Sequence, residues 1–210
     1  FAIEAQKKEN ALIHCAQWIT STAGSSPASN PFSMLPEPLV FPVRLFTITL
    51  IPAKTHPMPA LDAVTDLITE VFDEIGGKVF LHTHEDEICG LISNESLVAS
   101  GRTLDKKLAR LQRQVTTYFL DAPVIIYHDK PISLAELRQD YQLCEDSKAL
   151  AFYVGRSAPI KATAHTVTAQ PFHVSQAELS KATAVAAQNA DELQMQIAVH
   201  TFFQNCAALC

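Results

Sequence analysis

The densest group of residues that could carry out chemistry is the segment 82–87, with the sequence HTHEDE. Imidazole nitrogens and carboxylate oxygens are zinc ligands, so two histidines and three carboxylates this close together could indicate a metal site. Side chains alternate along a strand, so His82 and His84 share a face only if one strand runs through both. We favour a hairpin with His84 in its turn, and therefore a solvated, charged tip that keeps the strand edge from pairing with other chains.

One alternative assigns this region a ligand. It is a metal-assisted hydrolase that uses His82, His84 and Glu87, although a catalytic zinc usually takes a third ligand from another element. We predict no bound metal, no cofactor and no catalytic residue.

Other motifs do not point to an enzyme either. The chain contains neither a G-x-S-x-G nucleophile elbow nor a Gly-rich phosphate-binding loop. The basic residues Lys106, Lys107, Arg110 and Arg113 form a stripe on one predicted helix, which we interpret as a solvated face, with phosphate recognition as the alternative. The five cysteines form no C-x-x-C pair, so we expect reduced, buried thiols of a cytoplasmic protein.

Composition excludes several further classes of protein. A net charge of −6 does not suit a binder of nucleic acid or of anionic membrane surfaces, because both need a basic face. Apolar residues make up 48 % of the chain, and no apolar run approaches the roughly 18–20 residues of a membrane span. We expect a soluble globular segment of a longer protein that contacts neither nucleic acid nor membrane.

The elements that position these residues follow from the spacing of the apolar side chains. A helix is predicted over residues 4–20, followed up to residue 42 by a connector rich in proline and serine. The next elements are predicted in the order strand, helix, strand, strand, helix, strand, helix, over 43–51, 60–75, 78–82, 87–93, 103–119, 122–127 and 133–154. Ser133 and Glu136 form a capping box at the start of the last of these helices.

This order predicts an α+β domain with a ferredoxin-like βαββαβ core, in which the helices cover one face of an antiparallel sheet. We predict a linker helix and connector over 1–42, the domain over 43–165 and a helical hairpin over 172–210. The apolar stripes of the terminal helices, for example at Leu12 and Phe202, contact either a neighbouring domain or second protomer, or their own domain. The sequence leaves both arrangements open.

The predicted hairpin resembles that of the GGDEF domains of diguanylate cyclases, whose fold is an elaborated βαββαβ unit. In place of Gly-Gly-Asp-Glu-Phe stand His84, Glu85, Asp86, Glu87 and Ile88. The segment 133–156 is similar to the last helix of that family and the Gly-containing turn after it.

Two departures from the GGDEF pattern imply that cyclase activity is lost. The side chains of His84 and Glu85 replace the glycines that let the cyclase backbone approach the nucleotide. The metal-binding carboxylate expected at the end of the first strand is missing from residues 47–51, and phosphoryl transfer needs metal ions to neutralise the developing charge.

The degenerate pattern is similar to the middle domain of YesN-type, AraC-family two-component response regulators. In that family an inactive GGDEF-like domain and a helical hairpin lie between a receiver domain and an AraC-type helix-turn-helix domain. The resemblance implies a non-catalytic, cytoplasmic connector. Its partners would be those two domains of the same parent chain, and a second copy of itself in a homodimer. The alternative that the resemblance leaves open is a small-molecule-sensing domain that uses the degenerate cyclase cleft, with a pocket lined by His84, Glu85 and the start of the helix near Asp62.

Overall fold

The computed structural model describes residues 2–21, 30–37, 39–51, 61–119, 122–151 and 155–162. The chain divides into two compact units, Phe1–Lys148 with Arg156–Thr163, and Ala149–Gly155 with Ala164–Cys210. Nearly all of the described residues belong to the first unit, which therefore includes the N-terminal helix. The predicted helical hairpin at 172–210 lies outside the described residues, and the predicted boundaries at 42, 165 and 172 stay predictions.

A five-stranded mixed sheet forms the centre of the first unit. Its strands are β1 (Val43–Thr49), β2 (Lys78–His84), β3 (Glu87–Ser93), β4 (Val124–Tyr127) and β5 (Ile160–Lys161). They lie in the order β2-β3-β1-β4-β5, and every neighbouring pair is antiparallel except β4 and β5. The α+β class is therefore confirmed.

Helices cover both faces of this sheet. Within the described ranges they are α1 (Ala2–Thr20), α2 (Leu61–Val71), α3 (Asn94–Ala99), α4 (Leu104–Phe119) and α5 (Leu137–Ser147). α2 and α4 pack on one face, and α1 and α5 pack on the other. The prediction that helices cover one face only was wrong. Every residue of β3 is buried, and a strand buried on both faces needs a layer of helices on each side.

The core between the sheet and the α2–α4 layer contains a phenylalanine ring packed over a glycine. Phe46 on β1 stacks on Phe72, with ring centroids 5.5 Å apart. Gly90 on β3 is the register partner of Phe46, and a Cβ atom at position 90 would lie 2.1 Å from Phe46 Cζ. The close approach of the ring therefore requires glycine at this point of the strand.

The N-terminal helix α1 packs back on its own unit, as one of the two alternatives for this end of the chain predicted. Trp18 meets Phe32 edge-on with ring centroids 5.7 Å apart, and the Arg138 guanidinium lies 4.2 Å from the centroid of its indole. Ile13 remains 48 % exposed. The predicted connector also contributes to the core, because a 3-10 turn at Pro31–Met34 buries Phe32. The buried residues of α1 are Ala11, Cys15, Ala16 and Ile19.

Helix α5 is shorter than predicted. The predicted capping box forms only in part: the Ser133 backbone N–H donates to Glu136 Oε2 at 3.1 Å, but the Ser133 hydroxyl also donates to that oxygen, at 2.5 Å, instead of accepting from the Glu136 N–H. These contacts close a turn, and the regular helix begins only at Leu137 and ends at Ser147. The sequence analysis also missed α3 and β5, which are too short to show a periodic pattern.

The described cysteines Cys15, Cys89 and Cys144 are free and buried, as predicted. Burial raises the pKa of the Cys15 thiol to about 11, so this group is protonated at neutral pH. No helix within the described ranges is long and apolar enough to cross a membrane.

Candidate functional site

A β-bulge in the hairpin of β2 and β3 separates the two histidines. His82 pairs with Ile88 and His84 pairs with Glu87, so β2 contains one additional residue between them. An additional residue shifts the alternation of side chains, and His82 and His84 therefore lie on opposite faces of the sheet. His82 Nε2 is 2.9 Å from the hydroxyl of Thr65 on α2, whereas His84 lies beside Glu87 on the face covered by α5.

The hairpin tip is a two-residue turn formed by Glu85 and Asp86. The prediction of a longer turn that contains His84 was wrong, because the bulge extends β2 up to that residue. Glu85 is exposed, and the backbone carbonyl of Asp86 accepts a hydrogen bond from the Leu50 N–H at 2.8 Å. Ile88 is buried in the core beneath α2 and α4. Of the hairpin carboxylates, Glu87 is the one turned into the protein.

The Glu87 carboxylate is fully buried and hydrogen-bonded at both oxygens. Oε1 accepts from the hydroxyls of Tyr141 at 2.7 Å and Thr83 at 2.5 Å. Oε2 accepts from the Thr49 hydroxyl at 3.3 Å and from Nζ of Lys148. These four donors come from β1, β2 and the α5 region. They match the roughly four acceptor positions of a carboxylate, which is how a buried charge is tolerated.

Glu87, its four donors and Glu145 together form the buried cluster. The three members that come from the α5 region share one face of the helix. Tyr141, Glu145 and Lys148 are spaced four and three residues apart, which aligns their side chains. Lys148 directly follows the last residue of α5. Its Nζ lies 2.7 Å from Glu145 Oε1 and 2.8 Å from Oε2, in addition to its contact with Glu87. One ammonium group therefore serves two carboxylates.

The cluster shifts the pKa values of its members in different directions. Burial raises the pKa of Glu87, but hydrogen bonds from Lys148, Thr83 and Tyr141 outweigh burial and hold the pKa below its usual value. Burial and the neighbouring Glu87 raise the pKa of Glu145 despite its bond to Lys148. Burial lowers the pKa of Lys148, but its bonds to both carboxylates raise it above its usual value. At neutral pH Glu87 and Lys148 therefore form an ion pair whose carboxylate is fully buried and whose lysine side chain is partly exposed.

The described residues that come closest to a metal-ligand set are His84, Glu87 and Glu145. One donor atom from each lies within 4.8 Å of the other two. The set considered from the sequence contained His82 in place of Glu145, and the structure does not form it, because the bulge turns His82 towards α2. The position of a metal between the two carboxylates is taken by the ammonium of Lys148.

The residues named for a small-molecule pocket do not converge. Asp62 is exposed on α2, on the face of the sheet opposite to His84. Glu85 is exposed at the hairpin tip. The bulge and the two-sided helix packing therefore separate the three side chains.

The basic stripe of α4 divides between core and solvent. Lys107 is buried, and its Nζ donates to the Val71 carbonyl at 2.8 Å and pairs with Glu74 at 2.5 Å. The interpretation of a solvated face was wrong for this residue. Lys106 and Arg110 line a groove of about 420 Å³ together with Arg102, Lys107 and three acidic residues. The acidic residues of this groove are Glu70, Asp73 and Glu74.

Four residues of the buried cluster were missed by the sequence analysis: Thr49, Tyr141, Glu145 and Lys148. The sequence contains a signal for the last three of them, since the spacing 141, 145, 148 marks a polar stripe on a helix that also buries Leu137 and Cys144. A polar stripe beside buried residues indicates a polar partner inside the protein, but it does not identify Glu87 as that partner.

No model of a known protein family matches the chain, and no curated protein matches it. The chemistry of the cluster itself limits what it can do. A carboxylate with all of its acceptor positions occupied cannot accept a proton from a substrate or bind a metal ion unless a donor leaves. It can hold three elements in fixed positions relative to one another, which is a structural role.

Proposed function

We propose that this chain contains a non-catalytic regulatory domain, the connector of a two-component response regulator between a receiver domain and an AraC-type DNA-binding domain. The observation that carries the proposal is the inward-facing Glu87, whose carboxylate is bound to α5. By the GGDEF resemblance, this is the second acidic position of the hairpin. A hairpin that is hydrogen-bonded to a helix can transmit a change in the position of that helix to a neighbouring domain. The cytoplasmic location and the homodimer belong to the same proposal.

The strand order supports the ferredoxin-like part of the proposal. α2 connects β1 to β2 across β3, and the segment with α3 and α4 connects β3 to β4 across β1. The two crossovers are interleaved, and the four strands β2-β3-β1-β4 are antiparallel throughout, as expected for a split βαβ core. The short β5 is an addition at one edge of this core.

The end of β1 supports the absence of catalysis. In a cyclase-like site this end would supply a carboxylate that binds a divalent ion, which phosphoryl transfer requires. The described residues there are Thr47, Ile48 and Thr49. The Thr49 hydroxyl donates to Glu87, so this end of the strand supports the buried cluster instead.

The gene that encodes the chain tests the connector role. We expect the coding sequence to continue upstream into a receiver domain and downstream into an AraC-type helix-turn-helix pair. A catalytic domain on either side, or a stop codon directly after the last residue, would contradict the proposal.

A nucleotide titration tests the non-catalytic role separately. With GTP and Mg²⁺ in calorimetry, we expect no binding tighter than about 1 mM, corresponding to roughly −4 kcal/mol, and no cyclic dinucleotide as product. Micromolar binding that Glu87→Gln abolishes would contradict the proposal and favour a ligand-binding hairpin. Lys161→Met, which changes an exposed charge away from the hairpin, is the matched control.

A further inference from the structure

We infer that Lys148 is the resident cation of a ligand set formed by His84, Glu87 and Glu145, and that its ammonium group keeps divalent metal ions out of the hairpin. The inference goes beyond the regulatory role proposed above. It rests on the geometry of the cluster and holds whatever the domain regulates.

The chemistry of the three side chains is that of a transition-metal site. One imidazole and two carboxylates come from β2, β3 and α5, and both ligand types occur in the three-ligand sites of zinc enzymes. Their donor atoms lie within 4.8 Å of one another. A metal bonded at about 2.0–2.2 Å holds its donors roughly 3.5 Å apart, so the side chains need to close by only about 1 Å.

The position of the Lys148 ammonium group, between the carboxylates of Glu87 and Glu145, shows that this place in the fold accepts a cation. Nζ of Lys148 contacts Glu87 Oε2 and lies 2.7 and 2.8 Å from the two oxygens of Glu145. A metal ion bound to the same oxygens would occupy the same space. Lysine and metal therefore exclude each other.

Replacement of Lys148 by methionine should remove the ammonium group from between the two carboxylates and leave the other hydrogen bonds of the cluster in place. Methionine retains the apolar stem of the side chain and removes its charge. Glu87 Oε1 remains bound by Thr83 and Tyr141, which keeps the carboxylate oriented. Oε2 then has Thr49 as its remaining donor and an open position for a metal.

The test uses the complete 210-residue chain and Co²⁺ as the probe, because its visible absorption reports the donor set. We expect Lys148→Met to bind one Co²⁺ with d–d bands, with an affinity on the order of 100-fold higher than that of the unmodified chain. Adding His84→Ala to Lys148→Met removes one ligand and should abolish most of this gain. Lys161→Met removes a lysine from an exposed pair with Asp129 and should behave like the unmodified chain.

Equal affinities of Lys148→Met and the unmodified chain would overturn the inference, and so would bands that His84→Ala leaves unchanged. If Lys148→Met does not fold without metal, circular dichroism with added ions gives the answer. Folding restored by Co²⁺ but not by Mg²⁺ supports the inference, and no restoration by Co²⁺ contradicts it. None of these results bears on the flanking domains, so the regulatory proposal stands or fails separately.

Discussion

Removing the charge of Lys148 should cost the first unit a large share of its stability. Lys148→Met leaves the Glu87 carboxylate fully buried, with its three hydroxyl donors but without a counter-charge. Removal of one partner from a buried ion pair typically costs about 3–5 kcal/mol. The Lys148 side chain is 24 % exposed, and the hydroxyls still solvate the carboxylate, so we expect the lower end, about 3 kcal/mol, in the free energy of unfolding.

Urea unfolding followed by the fluorescence of Trp18, the one tryptophan of the chain, measures this cost. The indole lies beneath the guanidinium of Arg138 on α5, so its emission reports the contact between α1 and α5. Lys161→Met, in a solvent-exposed pair, should give no measurable change. Addition of Glu87→Gln to Lys148→Met removes the unpaired charge and should recover about 1–3 kcal/mol relative to the sum of the single variants.

Two results would refute this reasoning. A loss below about 1 kcal/mol in Lys148→Met would show that the pair is no stronger than a surface ion pair. A double variant as unstable as the sum of Lys148→Met and Glu87→Gln would show that the two charges do not interact. Either result would show that the ion pair of Lys148 and Glu87 does not hold α5 to the hairpin.

Acid should weaken the cluster only at low pH. A larger side chain in place of Gly90, which contacts Phe46, should weaken the core between the sheet and the α2–α4 layer. The pKa of Glu87 is lower in the folded chain, so its stabilisation is complete above the unfolded pKa of about 4.3 and is lost as the pH falls through the lower folded pKa. In urea unfolding at several pH values, the stability difference between the unmodified chain and Glu87→Gln should be constant near neutral pH and shrink below about 4.3; a loss already at about pH 6 would be contrary to this. Gly90→Ala places a Cβ 2.1 Å from Phe46 Cζ and should lower the free energy of unfolding by about 3 kcal/mol. The control Gly76→Ala, whose Cβ would meet nothing within 4 Å, should change little, and equal effects of the two substitutions would contradict the ring contact.

Periodicity of apolar residues predicted the elements that carry their own pattern. The helix predicted over 103–119 is α4, and its buried face follows from Leu104, Leu108, Leu111 and Val115 at spacings of three and four. β1 and β3 were predicted from their β-branched and apolar runs in the same way. These predictions succeed because the burial of one face of one element is a local property of the sequence.

The buried cluster could not be predicted in this way. The donors Thr49, Tyr141 and Lys148 lie 38, 54 and 61 residues from Glu87 along the chain. The direction of the hairpin side chains depends on the bulge before His84, and one additional residue in a strand turns the side chains that follow to the other face. The amino-acid sequence is the same whether or not the bulge forms, so the sequence does not show which face the side chains take. The partner of the polar stripe on α5 therefore emerges only from the packed structure.

A buried ion pair is by itself weak evidence for stability, because two apolar residues of similar volume often serve as well. Glu87 differs from such a pair, since its carboxylate accepts from four donors on three parts of the fold. An apolar residue at this position would leave the hydroxyls of Thr49, Thr83 and Tyr141 without their acceptor. Each hydroxyl that stays buried without an acceptor costs about 1–3 kcal/mol in the free energy of unfolding. Directional bonds also fix the rotation of α5 about its axis, whereas apolar contacts mainly fix its distance from the sheet. A domain that passes a change of position between its neighbours needs that rotation fixed, and in the proposed connector Glu87 is the residue that fixes it.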